Sequence, residues 1–142
     1  MDNLLQLGKQ VLASQPFSKL VGAELTSFSQ GRAELTVPVT QKLQQQNGLV
    51  HGGVISYAVD NALTFAGGSV LGPEVVTSGY TINYLRPAMG TAIIARAAVI
   101  YSSKSRAVCR CEVFSAVDGK ENLCAASQGT IAMIGRSSAN KA

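Results

Sequence analysis

The sequence predicts an α+β domain in which an antiparallel sheet wraps around one long central helix. Two observations predict this class. The β-type segments fall into a group of two and a group of four, and one long apolar helical segment separates the groups. Such a helix beside a single sheet is best covered when the sheet curves around it. A length of 142 residues predicts one domain over residues 1–142.

The elements follow from apolar periodicity and turn residues. Leucines at helical spacing predict a short amphipathic helix over residues 2–14, and we expect Pro16 to end it. Hairpin turns are predicted at Gln30-Gly31 and at Asp118-Gly119, where glycine permits the required backbone. The predicted strands cover residues 23–28, 32–39, 75–85, 91–101, 107–116 and 123–134, with a polar loop at 40–48 and a frayed, flexible tail at 135–142.

The central helix is predicted over residues 54–66, after the pair Gly52-Gly53. Val54, Ala58 and Ala62 recur at helical spacing, and the residues between them are mostly small or apolar. This composition predicts a helix that is buried on most sides.

Charge and cysteine usage exclude several classes of protein. The net charge of +4 is spread along the chain, without the basic stripe and interleaved aromatics of a nucleic-acid binder. Cys109 and Cys111 alternate in a predicted strand, so we expect them, with Cys124, to pack in the core rather than form disulfides. No spacing of cysteine or histidine is typical of a metal site.

Membrane insertion and secretion are not expected. No run approaches the ~18 apolar residues that a transmembrane helix needs. Asp2 stands where a signal peptide would carry positive charge, so the expected location is the cytoplasm.

Asp60 is the most unusual residue of the central helix. A buried carboxylate must be hydrogen-bonded, paired or protonated, and no Lys or Arg lies three or four residues away. One interpretation is an acid hydrogen-bonded to Ser56 or Thr64 in a structural role. The other is a catalytic base in a partly dry site.

Gly52 and Gly53 stand where the same helix begins. The first amides of a helix lack internal partners and carry the positive end of its dipole. Glycine lets a ligand approach them, so the pair can polarise a carbonyl, although a simple turn explains it equally well.

The spacing of Gly52 and Asp60 bears on assembly. Eight residues separate them, roughly 12 Å along a helix at ~1.5 Å per residue. One reacting carbonyl carbon cannot meet both within one helix, so joint action requires two antiparallel copies of the helix in a dimer. We expect the glycines and alanines of the helix to permit that close packing.

His51 is the single histidine and precedes the helix, where we expect an orienting hydrogen-bond donor rather than a base. Ser56 and Ser78 lack the histidine and acid partners of a nucleophilic triad at recognisable spacing.

Two segments, Asn47-Gly48-Leu49-Val50-His51-Gly52-Gly53 and Asp60-Asn61-Ala62, resemble the HGG…D signature of the PaaI-type hotdog acyl-CoA thioesterases. Tyr84-Leu85-Arg86-Pro87-Ala88 and the hairpin at Gly119 are similar to later landmarks of that family. The similarity covers roughly residues 22–134.

The resemblance implies a hotdog fold, a homodimer that can pair into a tetramer, and hydrolysis of an acyl-CoA to free acid and CoA without metal or organic cofactor. By position, Gly52 supplies the amide that polarises the thioester carbonyl. Asp60 of the partner subunit activates water or attacks directly, and His51 orders the loop.

The resemblance also assigns substrate contacts. Gly53 is expected to lie against the substrate, and Thr77 or Ser78 to supply an assisting hydroxyl. The family often carries Asn six positions before the histidine, where this chain has Gln45, with Asn47 four before. The resemblance therefore leaves open whether Gln45 or Asn47 positions the substrate.

Lys104 and Arg106 lie in a predicted turn and can contact CoA phosphates, or form an ordinary solvated hairpin. Two rival functions remain open: a non-catalytic acyl-CoA-binding protein, and a hotdog hydratase or dehydratase. Acyl specificity is left open between aromatic and medium-chain groups.

Overall fold

The computed structural model describes residues 2–134, within which the chain forms three α-helices and six β-strands. The predicted tail at 135–142 lies outside the described residues. The elements are α1 (Asp2–Ala13), α2 (Pro16–Val21), β1 (Glu24–Ser29), β2 (Arg32–Pro38), α3 (Gly52–Leu71), β3 (Val75–Tyr84), β4 (Ala92–Ser102), β5 (Arg106–Val117) and β6 (Lys120–Met133).

The strands form one antiparallel sheet in the order β1-β2-β4-β5-β6-β3, and helix α3 contacts all six strands. Six strands spaced ~4.8 Å apart span about 24 Å, whereas a helix is about 10–12 Å across. The sheet must therefore curve around α3 to reach it everywhere, which confirms the predicted hotdog architecture.

Strand β5 shows how alternation builds the core. Ala107, Cys109, Cys111 and Val113 are buried, and the residues between them lie on the outer face. Cys124 is buried as well, and all three thiols are free, which confirms the predicted core packing. Burial raises the pKa of the Cys109 thiol to about 11 and that of Cys111 to about 12. These thiols are protonated at neutral pH.

Both predicted hairpin turns are present. Gly31 has a φ of 83° between β1 and β2. Asp118 and Gly119 have φ of 50° and 77° between β5 and β6, as two-residue hairpin loops with positive φ require.

The structure adds two short elements to the prediction and lengthens α3. Helix α1 ends before Pro16 as predicted, and Pro16 also opens α2, where its missing N–H costs nothing at the first helical position. The polar loop at 40–48 contains a 3₁₀ turn at Gln41–Leu43. Helix α3 continues beyond residue 66 because Gly67 lets it touch β6, where a Cβ would lie 2.6 Å from that of Ile131.

Three alanines of α3 do not have the role expected for them. Ala58, Ala62 and Ala66 are fully buried within the single chain, so they cannot contact a second copy. Their small size instead brings α3 close to its own sheet, and any partner must meet the other side of the helix.

Candidate active site

The N-terminus of α3 presents one free backbone amide. His51 is the N-cap, and its Nδ1 accepts a 2.8 Å hydrogen bond from the Gly53 N–H. The expected donor role was therefore wrong for this bond, because an N-cap side chain meets the free N–H groups of the first turn. The Gly52 N–H has no acceptor within residues 2–134, as expected for the first amide of a helix. The capping histidine thus occupies one amide and leaves Gly52 as a donor at the positive end of the helix dipole.

Glycine at position 53 serves this cap directly. A Cβ there would lie 3.0 Å from His51 Nδ1, so a side chain would press on the capping ring. At Gly52 a Cβ would meet only the Tyr84 ring, at 3.6 Å, so that position has room above it.

The loop before α3 is held by its own hydrogen bonds. The Gln45 side chain accepts from the Asn47 N–H at 2.6 Å, and the Gln45 N–H donates to the Leu49 carbonyl at 2.8 Å. The His51 N–H donates to the Leu43 carbonyl at 2.9 Å. Gln45 therefore closes the loop, while Asn47 is exposed.

The Asp60 carboxylate is oriented by a strand residue. Its Oδ1 accepts a 2.6 Å hydrogen bond from the Thr77 hydroxyl on β3. Of the two helical partners considered from sequence, Thr64 donates to the Asp60 backbone carbonyl at 2.8 Å, and Ser56 bonds Tyr80. The acid is thus fixed across the helix–sheet boundary rather than along its own helix.

Asp60 is half-buried and faces a small cavity of about 200 Å³ that Gln15, Phe17 and Tyr57 also line. Both ion pairs formed within residues 2–134 belong to Arg96, so the described chain brings no cation to Asp60. A carboxylate with one oriented oxygen and open space before it can accept a proton from water.

Sequence reasoning missed the polar network beside the acid. Ser18 donates to the Gln15 side chain at 2.6 Å and accepts from the Tyr57 hydroxyl at 2.6 Å. The Asn61 amide donates to the same Gln15 oxygen at 3.1 Å and to the Tyr57 hydroxyl at 2.9 Å. The network fastens the α1–α2 connection over α3, next to Asp60. One available signal was the polar stripe Tyr57, Asp60, Asn61 and Thr64, at helical spacing.

Ser78 is not brought to the acid. It is the extra residue of a bulge in β3 between Thr77 and Gly79, and it is exposed. The extra residue shifts the alternation of side chains along β3 by one position, so that Thr77 and Tyr80 both face the helix.

Lys104 and Arg106 are exposed near the β4–β5 turn. Arg106 on β5 pairs with Ala132 on β6, and Ala132 pairs with Val76 on β3. The Arg106 backbone therefore lies two strand spacings, or about 10 Å, from that of Val76, the neighbour of Thr77. Its neighbour Ala107 is buried, which places the Arg106 side chain on the outer face of the sheet.

Gly52 and Asp60 both lie in α3, two helical turns apart, so one chain does not bring them together. Within residues 2–134 no group of three or more His, Cys, Asp or Glu side chains could hold a metal ion. In the same described part of the chain, no helix is long and apolar enough to cross a membrane.

Comparisons with known proteins find similar sequences and folds among thioesterases. Residues 47–121 match the model of the thioesterase superfamily. The chain is 31% identical over 97 residues to the acyl-coenzyme A thioesterase PaaI of Escherichia coli, covering 68% of this chain and 69% of that one. It is 29% identical over 115 residues to a 1,4-dihydroxy-2-naphthoyl-CoA hydrolase of Listeria monocytogenes, covering 80% and 91%. A thioesterase family protein from Silicibacter pomeroyi superposes with a TM-score of 0.87 at 31% identity, covering 93% of this chain and 99% of that one.

Proposed function

We propose that this chain, which belongs to the thioesterase superfamily and is a PaaI-type hotdog thioesterase, hydrolyses acyl-CoA to free acid and CoA. The site combines Asp60 of one subunit with the Gly52 amide of another. One pair of observations carries the proposal: the Gly52 N–H has no acceptor in the described chain, and Thr77 fixes the Asp60 carboxylate.

The distance along α3 and the free edge of the sheet support a two-subunit site. Strand β3 is ten residues long and lies at the edge of the sheet in a single chain. Long uncovered edges invite pairing with another chain. Antiparallel pairing of two β3 strands about a two-fold axis would bring the acid side of each α3 towards the N-terminus of the other. A homodimer is the smallest such assembly, and a dimer of dimers is compatible with it.

In the proposed reaction, Asp60 Oδ2 accepts a proton from water as the oxygen attacks the thioester carbon. The Thr77 hydroxyl holds Oδ1 and so aims the other oxygen. The developing oxyanion takes a hydrogen bond from the partner's Gly52 N–H, reinforced by the helix dipole. The C–S bond then breaks, and the proton passes to the CoA thiolate. Water and these two groups suffice, so the proposal needs neither metal nor organic cofactor.

The other residues have supporting parts. His51 keeps the α3 amides in place, and Gly53 leaves space for its ring. Gln45 shapes the loop that precedes the site, so Asn47 is the side chain free to meet substrate. Lys104 and Arg106 offer positive charge to CoA phosphates on the outer face, while Ser78 is a peripheral contact. An acyl-CoA substrate is compatible with the cytoplasmic location expected from the sequence.

Thiol release from short, long and aromatic acyl-CoAs tests the reaction, with wild type and Asp60→Asn measured together. We expect Asp60→Asn to lower kcat by at least about 10²-fold with little change in KM, because it removes the base and keeps the shape. The buried thiols of the protein add little background to a thiol reagent. If wild type binds acyl-CoA saturably but releases no thiol, the protein is a binding protein. If the acyl group is altered while the thioester stays intact, the protein is a hydratase.

Position 52 offers a matched pair of variants. Proline is tolerated at the first helical position and removes the N–H, and His51 already has the extended backbone (φ −61°, ψ 135°) that a following proline requires. We expect Gly52→Pro to lose about 10²–10³-fold in kcat. Gly52→Ala keeps the donor and has room for its methyl, so it should lose far less. Equal losses in the two variants would show that the amide plays no part.

A further inference from the structure

We propose that Tyr80 and Ser56 form a positioning pair, which holds strand β3 on helix α3 so that the Thr77 hydroxyl stays hydrogen-bonded to the Asp60 carboxylate. The inference rests on the proposed hydrolysis at Asp60 and adds to it two residues that act on the base through Thr77.

The backbone ladder of β3 is interrupted next to the residue that orients the acid. Within residues 2–134, β3 hydrogen-bonds only to β6, and the register between the two strands skips Ser78, directly after Thr77. Such an extra residue disrupts the ladder locally. The Thr77 hydroxyl nevertheless meets Asp60 Oδ1 at 2.6 Å. Contacts between β3 and α3 therefore supply what the interrupted ladder does not.

Tyr80 makes such a contact on the other side of the bulge. Its hydroxyl lies 2.5 Å from Ser56 Oγ and 3.3 Å from the Ser56 carbonyl oxygen. A serine within a helix often bonds the carbonyl four residues earlier, whereas Ser56 bonds across to the strand. Each hydroxyl can donate or accept, so the pair is satisfied in either direction.

Ser56 lies midway between the two groups of the proposed site. It follows Gly52 by four residues and precedes Asp60 by four, about 6 Å along the helix in each direction at ~1.5 Å per residue. Residues four apart share one face of a helix. Tyr80 and Thr77 therefore bond consecutive turns of one face of α3, and the Tyr80 contact fixes the register in which Thr77 meets Asp60.

The neighbouring strand leaves room for Tyr80. Gly129 of β6 pairs with it, and a Cβ at position 129 would lie 2.5 Å from the Tyr80 Cβ and 2.8 Å from the Gly79 carbonyl oxygen. A Cβ does not approach other atoms that closely, so the two strands meet in this way because position 129 is glycine. The place of Tyr80 against α3 is thus set from both strands.

The kinetic experiment measures kcat and KM with whichever of acetyl-, palmitoyl- and phenylacetyl-CoA wild type hydrolyses fastest. Tyr80→Phe keeps the ring, and Ser56→Ala suits the helix. We expect each to lower kcat about tenfold with KM nearly unchanged, because a small misplacement of a catalytic group lowers the rate and not substrate binding. Tyr101→Phe is the control, since Tyr101 on β4 is 63% exposed, and it should match wild type.

A double variant tests whether the pair acts through Thr77. Thr77→Val removes the hydroxyl that orients Asp60 and should lower kcat at least as much as Tyr80→Phe does. Adding Tyr80→Phe to Thr77→Val should lower kcat no further, because two residues that act through one contact are not additive.

A second measurement does not depend on turnover. The chain has three Asp residues, Asp2, Asp60 and Asp118, so carbon-13 labelling of Asp carboxylates gives a simple spectrum in which Asp60→Asn identifies the Asp60 signal. Hydrogen bonds to the carboxylate oxygens affect the position of this signal. At one pH near neutrality, Thr77→Val, Tyr80→Phe and Ser56→Ala should all move it in the same direction, and Tyr101→Phe should leave it in place.

The two measurements separate the positioning pair from the proposed reaction. If no thioester is hydrolysed even by wild type, while Tyr80→Phe and Ser56→Ala move the Asp60 signal, the pair stands and the reaction is overturned. If wild type is active and Tyr80→Phe keeps both its kcat and its signal, the reaction stands and the pair is overturned. Losses that add in the double variant, or a loss of kcat without movement of the signal, would also overturn the pair.

Discussion

The two sides of α3 do different work. The side facing the sheet carries Ile55, Val59 and Leu63, each at most 3% exposed, and has apolar partners throughout. The opposite side carries Tyr57, Asp60 and Asn61, half-buried and hydrogen-bonded to other elements. The first side fixes where the helix lies, and the second uses that fixed position to hold chemical groups. Changes on the first side should therefore alter stability, and changes on the second should alter turnover.

The largest loss of stability is expected on the sheet side. Leu63 is fully buried, so Leu63→Ala should lower the free energy of unfolding by about 2–5 kcal/mol through lost burial and a cavity. Urea denaturation measures this, with the exposed Leu20→Ala as control. Activity per folded molecule should remain near that of wild type. An unchanged unfolding midpoint would show that the sheet side does not carry the stability assigned to it.

A smaller loss of stability is expected where hydrogen bonds hold the α1–α2 connection against α3. Ser18 is 1% exposed, donates to Gln15 and accepts from the Tyr57 hydroxyl. Ser18→Ala removes both bonds and leaves the Tyr57 hydroxyl without an acceptor, although Asn61 still bonds Gln15 and Tyr57, so we expect a cost of about 1–3 kcal/mol. Hydrogen exchange should accelerate in α1 and α2 and stay slow in α3. Uniform acceleration across all three helices would contradict a local fastening role.

The smallest effect concerns pH. Burial, followed by the charge of Glu112, raises the pKa of Cys111 from 9.0 to about 12 in the folded protein. As pH rises, the thiol ionises at a lower pH in the unfolded protein than in the folded protein. The stability that Cys111 contributes to the fold is therefore complete below pH about 9 and is lost towards pH 12. Over this range the free energy of unfolding falls by at most about 1.4 kcal/mol per pH unit. Urea midpoints between pH 8 and 10 should fall less steeply for Cys111→Ala than for wild type. Parallel curves would contradict this assignment.

The strands and hairpin turns of the sheet could be predicted from the sequence because the patterns that indicate them are local. Alternation at residues 107–113 and the positive φ required at Gly31 and Gly119 depend on neighbouring residues, and the structure confirms them. The length of α3 was missed because Gly67, ordinarily a helix breaker, here makes the contact with Ile131. Short-range propensity does not include that tertiary contact.

The polar side was only partly predictable. Asp60 and Gly52 could be identified from the motif, but their partners are distant in sequence. Thr77 lies 17 positions after Asp60, and Gln15 lies 46 before Asn61. No local pattern links such pairs, which meet only because β3 and the α1–α2 connection pack on α3. Ala58, Ala62 and Ala66 were assigned to a partner for the same reason, although the sheet of their own chain buries them.

The two-subunit site is tested most directly by mixed dimers, made by coexpressing two variants with different tags and purifying on both. A dimer of one Asp60→Asn subunit and one Gly52→Pro subunit retains one intact pair, so it should show about half the wild-type activity, although each variant alone is nearly inactive. A wild-type subunit paired with an Asp60→Asn, Gly52→Pro double variant retains no intact pair and should be nearly inactive. The opposite pattern, with the first dimer inactive and the second half-active, would place the whole site within one chain and contradict the account.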